Sequence, residues 1–193
     1  MDICIFGASG RDLDKSYYDM AFELGALVAG CGHGIVFGGG AEGLMGACAR
    51  GASSRGGKII GVAPRFFDEP GILYQGCTEL VFTETMRERK QVMQERSGAC
   101  IVMPGGIGTL EEFFEVLTLK QLGRDGRAIV ILNTNGCYNT MLRMLEELAE
   151  ARFMSKNCLG LYFVAETAQQ AVEYLESYVP QKGSIHRLED YNK

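Results

Sequence analysis

The chain contains no tryptophan, two histidines (His33 and His186) and four prolines among 193 residues. So few histidines leave little material for a histidine-rich metal site or a Ser-His-Asp triad. No segment approaches the roughly 20 uninterrupted apolar residues that a membrane helix needs. Basic residues are not in excess, since 19 Lys and Arg against 24 Asp and Glu give a formal charge of -5. That balance offers no basic face to a nucleic-acid backbone. Neither a membrane nor a nucleic acid is an expected partner.

Paired cysteine motifs are also missing. The seven cysteines stand singly at 4, 31, 48, 77, 100, 137 and 158, with no C-x-x-C, and several lie in apolar runs where a thiol packs like a small hydrophobe. They read as reduced structural residues. The strand-like run Asp2-Ile3-Cys4-Ile5-Phe6 begins at once and leaves no room for a secretory leader, so a cytoplasmic location is expected.

With 47% hydrophobic and 22% charged residues, the composition is that of one soluble domain with a substantial core. Short β-branched runs recur at Ile3 to Phe6, Ile35 to Phe37, Ile59 to Val62, Leu80 to Phe82, Ala99 to Met103, Ala128 to Leu132 and Leu161 to Val164. Helical patterns lie between them, near 16 to 30, 42 to 54, 85 to 97, 109 to 122, 138 to 151 and 167 to 178. The alternation predicts a single-domain, Rossmann-like, doubly wound α/β fold over residues 1 to 179. Its mostly parallel sheet of about seven strands would carry helices on both faces. Residues 180 to 193 read as a polar tail. The stretch from Pro64 to Cys77 has no clear period and is long for a loop, which often marks function.

Glycine, by contrast, is abundant. Many of the 26 glycines fall just after predicted strands, in Gly7-Ala8-Ser9-Gly10, Gly38-Gly39-Gly40-Ala41-Glu42-Gly43 and Pro104-Gly105-Gly106-Ile107-Gly108-Thr109. In a doubly wound sheet such turns collect around one crevice at the carboxyl ends of the strands. There an exposed backbone and a helix N-terminus can hold a phosphate. Gly38, Gly40 and Gly43 fit G-x-G-x-x-G, yet Lys58-Ile59-Ile60-Gly61-Val62 carries no carboxylate to hold a ribose 2'-hydroxyl, so the dinucleotide reading fails. A P-loop is excluded because no such turn continues into Gly-Lys-Ser/Thr. Tight helix-sheet packing explains Gly43 and Gly46 at least as well as ligand binding.

The third turn is the sharpest feature. A phosphate here could accept backbone N–H bonds together with the Thr109 hydroxyl. Thr109-Leu110-Glu111-Glu112 also fits a capping box, in which Thr109 would cap a helix starting beside it. Upstream, Met86-Arg87-Glu88-Arg89-Lys90 is rich in charge, and Arg87 and Glu88 read as a solvated face.

These two stretches together resemble the LOG family of cytokinin riboside 5'-monophosphate phosphoribohydrolases, long labelled lysine decarboxylase-like, which pairs P-G-G-x-G-T-x-x-E with an upstream M-x-x-R-K. Further similarity covers Gly43-Leu44-Met45-Gly46, Gln121-Leu122-Gly123 and Gly136-Cys137-Tyr138. The resemblance implies hydrolysis of the N-glycosidic bond of an N6-substituted AMP to free base and ribose 5-phosphate, without a cofactor or metal, by a homodimer or larger assembly. It implies Arg89 and Glu112 as the catalytic pair. Lys90, Gly105, Gly106, Ile107, Gly108 and Thr109 would bind substrate, with Ser9, Gly39, Met86 and Glu69 as further candidates. The chain departs from the family in having Ile107 for a usual aromatic and no tryptophan before Lys120. Its loop Arg65-Phe66-Phe67-Asp68-Glu69-Pro70-Gly71 also puts Gly71, in a gapless match, where a glutamate is usual.

Two other readings fit the same turns: within the same class, a broader nucleoside 5'-monophosphate nucleosidase, and from a different class, a non-catalytic carrier of a nucleotide or pterin-type cofactor. A pure carrier has no chemical need for both Arg89 and Glu112. Lysine decarboxylation is the weakest reading, since no local pattern suggests a Schiff-base lysine with partners for pyridoxal phosphate.

Overall fold

The computed structural model describes residues 1 to 180; the remainder of the predicted polar tail lies outside the described residues. Seven strands form one sheet: β1 (Asp2–Phe6), β2 (Gly34–Phe37), β3 (Ile59–Pro64), β4 (Glu79–Thr83), β5 (Ala99–Val102), β6 (Ala128–Leu132) and β7 (Phe163–Ala165). Their order is β4-β3-β2-β1-β5-β6-β7, and every neighbouring pair is parallel. The predicted sheet is thus found, and it is wholly rather than mostly parallel. β7 starts two residues later than its apolar run suggests, because Leu161 closes a short 3-10 turn over Lys156–Gly160.

The helices are α1 (Lys15–Gly30), α2 (Gly43–Ser54), α3 (Met86–Glu95), α4 (Ile107–Gln121), α5 (Asn139–Glu150) and α6 (Ala168–Ser177). Successive residues of a strand face opposite sides, so each strand feeds two cores. Ile3 and Ile5 of β1 join Leu24 of α1, Ala47 of α2 and Val172 of α6 on one face. Cys4 and Phe6 join Met93 of α3, Phe113 and Val116 of α4 and Leu145 of α5 on the other. Burial on both faces is why these strands read as continuous apolar runs rather than alternating ones.

The strand order reverses between β1 and β5. Connections leave these two strands in opposite directions, which opens a crevice at their carboxyl ends. The turns after β1, β2 and β5 meet there and are bonded to one another. The Ala8 amide donates to the Pro104 carbonyl at 3.0 Å, and the Leu44 amide donates to the Ala8 carbonyl at 2.9 Å.

Candidate active site

A cleft of about 750 Å³ lies over this switch point. One wall is the start of α4. The helix begins at Ile107 with extended Gly106 as its N-cap, and no side chain caps it. Its first amide bonded within the helix is Leu110, which donates to the Gly106 carbonyl at 3.0 Å. The Ile107, Gly108 and Thr109 amides therefore have no helical carbonyl to satisfy them, and they carry the positive end of the helix dipole. Such a terminus is a site for an anion.

This geometry overturns the capping-box reading of Thr109 and Glu112. Thr109 is the third residue inside the helix, buried, not its cap. Threonine caps form elsewhere, with the glutamate or glutamine three residues on bonded to the amide just before the cap. Thr85 accepts from the Glu88 amide at 3.1 Å while Glu88 accepts from the Glu84 amide, and Thr167 and Gln170 repeat the arrangement before α6. Glu88 is accordingly a capping residue as well as part of a solvated face.

Glu112 turns instead to α3. Arg89 and Met93, four residues apart, make the buried face of that helix, so the guanidinium is carried inward where a hydrophobic side chain is the rule. Arg89 Nε donates to the Val62 carbonyl within β3 at 3.2 Å, and Nη1 donates to Glu112 Oε1 at 3.1 Å. Both side chains are nearly closed off, at 8% and 11% exposure, yet both line the cleft. Burial raises the Glu112 pKa, and the charge and hydrogen bond of Arg89 pull it back without cancelling the rise. The pair thus offers a reluctant carboxylate and a fixed cation at one end of the cleft.

Tyr138 braces the turn from below. Its buried hydroxyl donates to the Met103 carbonyl at 2.8 Å, and the hydroxyl oxygen accepts from the Gly105 amide. Burial pushes this phenol well above its ordinary range, so it stays a neutral donor.

The opposite wall comes from the segment after β3. A short 3-10 turn, Arg65–Phe67, leads into a stretch sewn to the β2 turn. There the Ala41 amide donates to Ile72 O at 2.9 Å, the Tyr74 amide to Gly39 O at 2.8 Å, and Gly40 bridges to Leu73. Phe67, Gly71, Ile72 and Leu73 reach the cleft, with Met45 and Met86 completing an apolar side. The long aperiodic loop is therefore a built wall.

Of the residues singled out from sequence, Ser9, Met86, Arg89, Gly106, Ile107, Gly108, Thr109 and Glu112 line the cleft. Four do not. Gly105 supports the turn from behind, and Gly39 lies beneath Leu73. Glu69 is exposed on the loop, where its amide and carbonyl bond to Phe67 and Ile72, and Gly71 faces the cleft in its place. Lys90 is held by Glu111 and by Glu115, the latter at 2.5 Å. Gly43 and Gly46 are packing positions: Gly43 has φ +62° against the backbone of Ala8 and Ser9, and a Cβ on Gly46 would strike the Ala41 carbonyl.

Residues 45–175, more than half of the chain, match the family model described as possible lysine decarboxylase. A cytokinin riboside 5'-monophosphate phosphoribohydrolase of Arabidopsis thaliana is 36% identical over 183 residues, covering 95% of this chain and 86% of that protein. The chain belongs to the LOG family. A second LOG family phosphoribohydrolase, from Oryza sativa subsp. japonica, is 34% identical over 179 residues, covering 93% of this chain and 74% of that protein. Among solved structures, the molybdenum cofactor binding protein of Rippkaea orientalis matches with a TM-score of 0.71 at 20% identity, covering 91% of this chain and 95% of that one. The molybdenum cofactor carrier protein of Chlamydomonas reinhardtii matches at 0.70 and 23%, covering 92% and 98%. At that identity the two share the fold of this LOG family member, and nothing finer follows.

Arg11 and Glu42 also line the cleft, as do Phe67, Ile72 and Leu73 of the Pro64 to Cys77 stretch, and none of the five is an individual site candidate from sequence. Their placement depends on loop conformation, for which no local pattern existed. Tyr138 belongs to a tripeptide shared with the family, and its place just beyond the turn after β6 carries no local sign that it reaches the β5 turn. The family description invites a lysine decarboxylase reading, but among the described residues no lysine lines the cleft.

Proposed function

We propose that this LOG family member hydrolyses the N-glycosidic bond of a nucleoside 5'-monophosphate, with an N6-substituted AMP as substrate and free base and ribose 5-phosphate as products. The observation that carries this reading is the buried Arg89–Glu112 pair facing the same cleft as the uncapped start of α4. The 5'-phosphate sits at the Ile107 to Thr109 amides with the Thr109 hydroxyl beside it. That places the ribose toward Glu112 and the base toward Phe67, Ile72 and Met86. The names of the relatives at 34 to 36% identity agree with this substrate.

The chemistry matches the residue types. As the base departs, positive charge grows on the ribose in an oxocarbenium-like state. Glu112 stabilises that charge and orients the attacking water, and the proton it takes from that water passes on to the departing base, which is released neutral. Arg89 holds Glu112 and presents its remaining N–H groups to a ribose or phosphate oxygen. Glu112 is the chemical partner and Arg89 the positional one. An Arg89→Ala variant that bound AMP normally and lost all turnover would refute that division.

The apolar wall favours a hydrophobic group on the base, because no carboxylate of the 65 to 73 segment reaches the cleft. The deciding experiment is a panel of nucleoside 5'-monophosphates, including N6-isopentenyl-AMP, assayed for free base with the purified protein. Fastest release from N6-isopentenyl-AMP is the expected result. Similar rates for AMP and UMP would leave a broad nucleosidase, and binding of AMP without release from any would leave a carrier.

A further inference from the structure

Arg11 and Glu42 face the cleft but take no part in the chemistry proposed above. Arg11 follows the glycine turn after β1, and Glu42 is the N-cap residue of α2, where its side chain makes no capping bond. The two side chains approach only to 3.9 Å and are 70% and 51% exposed. A pair so open to water is held weakly, by a few-fold in equilibrium at most. The backbone beneath it is fixed. The Tyr18 hydroxyl donates to the Arg11 carbonyl at 2.6 Å and lies 3.2 Å from the Gly10 carbonyl. An anchored main chain thus carries a guanidinium that is free to turn.

The anchorage also sets where that guanidinium can go. Ala8, three residues before Arg11, is bonded through its amide to the carbonyl of Pro104, three residues before Ile107. The turn that carries Arg11 is therefore fastened to the turn that carries the free α4 amides, and both open on one space. Charge at that end calls for a further cation. A phosphate monoester carries about −1.5 to −2 at neutral pH, whereas a helix terminus offers roughly half a positive charge. The charged side chains lining the cleft are Arg11 and Arg89 against Glu42, Glu111 and Glu112. Arg89 is committed to Glu112 and to the Val62 carbonyl. Among the described residues, Arg11 is the cleft-lining cation without a buried partner.

We propose that Arg11 is the specificity residue for the 5'-phosphate: it leaves Glu42 when a nucleotide enters, forks onto the phosphate oxygens held at the start of α4, and so separates nucleotides from nucleosides. Without nucleotide Glu42 is its counter-ion, and Glu42 competes with the phosphate for it. The proposal rests on the placing of the phosphate at α4 in the hydrolase reading, and not on turnover. A guanidinium suits the exchange, because its fork fits a carboxylate and a phosphate alike and the phosphate carries more charge.

The test compares Arg11→Met, Arg11→Lys and Glu42→Gln with the wild-type protein. Each is titrated calorimetrically with ribose 5-phosphate, AMP and adenosine, melted, and assayed for kcat and KM on N6-isopentenyl-AMP. Arg11→Met is expected to weaken ribose 5-phosphate and AMP about tenfold and to leave adenosine within about twofold. KM should rise by a similar factor with kcat within about twofold, since the phosphate does not react. Arg11→Lys should fall between the two, keeping the charge but losing the fork. Glu42→Gln should act in the opposite direction and tighten ribose 5-phosphate about twofold to threefold. Melting temperatures should not move, because both side chains are exposed. Unchanged ribose 5-phosphate affinity in Arg11→Met would overturn the proposal. So would weakening by Glu42→Gln alongside Arg11→Met, which would make the pair a brace for the turn, or an equal loss of adenosine. A wild-type protein that bound ribose 5-phosphate no better than ribose would overturn it as well. If the wild-type protein releases no base from any nucleotide, the hydrolase reading has failed separately, and the affinities alone decide the role of Arg11.

Discussion

Gly38 and Arg89 occupy adjoining space so closely that a Cβ on Gly38 would overlap the Arg89 guanidinium. The absence of a side chain just after β2 is what leaves room for a cation in the cleft wall. Gly38 belongs to a turn that resembles a phosphate loop, yet its service here is to a protein side chain. Gly38→Ala is expected to displace Arg89 and weaken the fold by about 1–3 kcal/mol, as overpacking does. Base release should fall about 100-fold through the misplaced pair. Urea unfolding and steady-state turnover on N6-isopentenyl-AMP check both halves. Unchanged turnover would mean that Arg89 has room to spare.

Glu112→Gln keeps the shape and an acceptor for Arg89 but removes the charge. Base release is expected to drop by roughly 100-fold or more while AMP still binds. Product formation followed over hours beside calorimetric titration of AMP distinguishes lost chemistry from lost binding.

The same variant carries a pH signature. Glu112 is raised above 4.5 in the folded protein by burial, with Arg89 opposing. A carboxyl with a raised folded pKa favours the folded state at low pH. That contribution fades as pH rises from its unfolded value through its folded one. The wild-type protein should therefore lose stability relative to Glu112→Gln as pH rises from about 4.5 toward neutrality, by melting curves across that span. For the same reason the acid limb of kcat/KM should lie above the ordinary glutamate range, because the carboxylate form does the work. A limb at or below that range would place the acting base elsewhere.

Ile107 is the first residue of α4 and is 88% exposed, so its side chain contributes little to the fold. Proline is tolerated at that position, and the extended Gly106 before it suits a following proline. Ile107→Pro removes one of the free amides without removing the helix. Inhibition by ribose 5-phosphate should weaken by about fivefold to tenfold with little change in melting temperature. Equal inhibition in both proteins would move the phosphate away from this terminus.

Tyr138→Phe deletes the hydroxyl that bridges Met103 and Gly105. The left-behind Met103 carbonyl and Gly105 amide should cost about 1–3 kcal/mol in urea unfolding, and AMP should bind several-fold more weakly because the turn is no longer braced.

Much of this was legible along the chain. The seven strands and six helices appear in the apolar runs and periodic stretches because a parallel sheet covered on both faces needs strands apolar throughout. The glycine turns announce the crevice for a similar reason. A backbone that must approach an anion or another backbone leaves no room for Cβ, and that requirement is written one residue at a time. Arg89 and Glu112 were reached through motif resemblance; nothing local in either stretch says that they touch.

Near the start of a helix, the pattern Thr-x-x-Glu or Thr-x-x-Gln stands at Thr85, Thr109 and Thr167. At Thr85 and Thr167 the threonine caps a helix, and at Thr109 it does not. The local chemistry is the same in all three. What differs is that α4 is capped three residues earlier, by Gly106, and that Arg89 from another helix claims Glu112. Lys90 and Glu69 diverge from their expected places in the same way, one taken by Glu111 and Glu115, the other left on the outside of a loop sewn down through Ile72 and Tyr74. The sequence by itself determined the layers, the crevice and the supply of phosphate-binding amides, because those follow from periodicity and from glycine. Only the tertiary structure decided which charge meets which, because an ion pair between two helices depends on the sheet that holds them 23 residues apart in the chain and 3.1 Å apart in space.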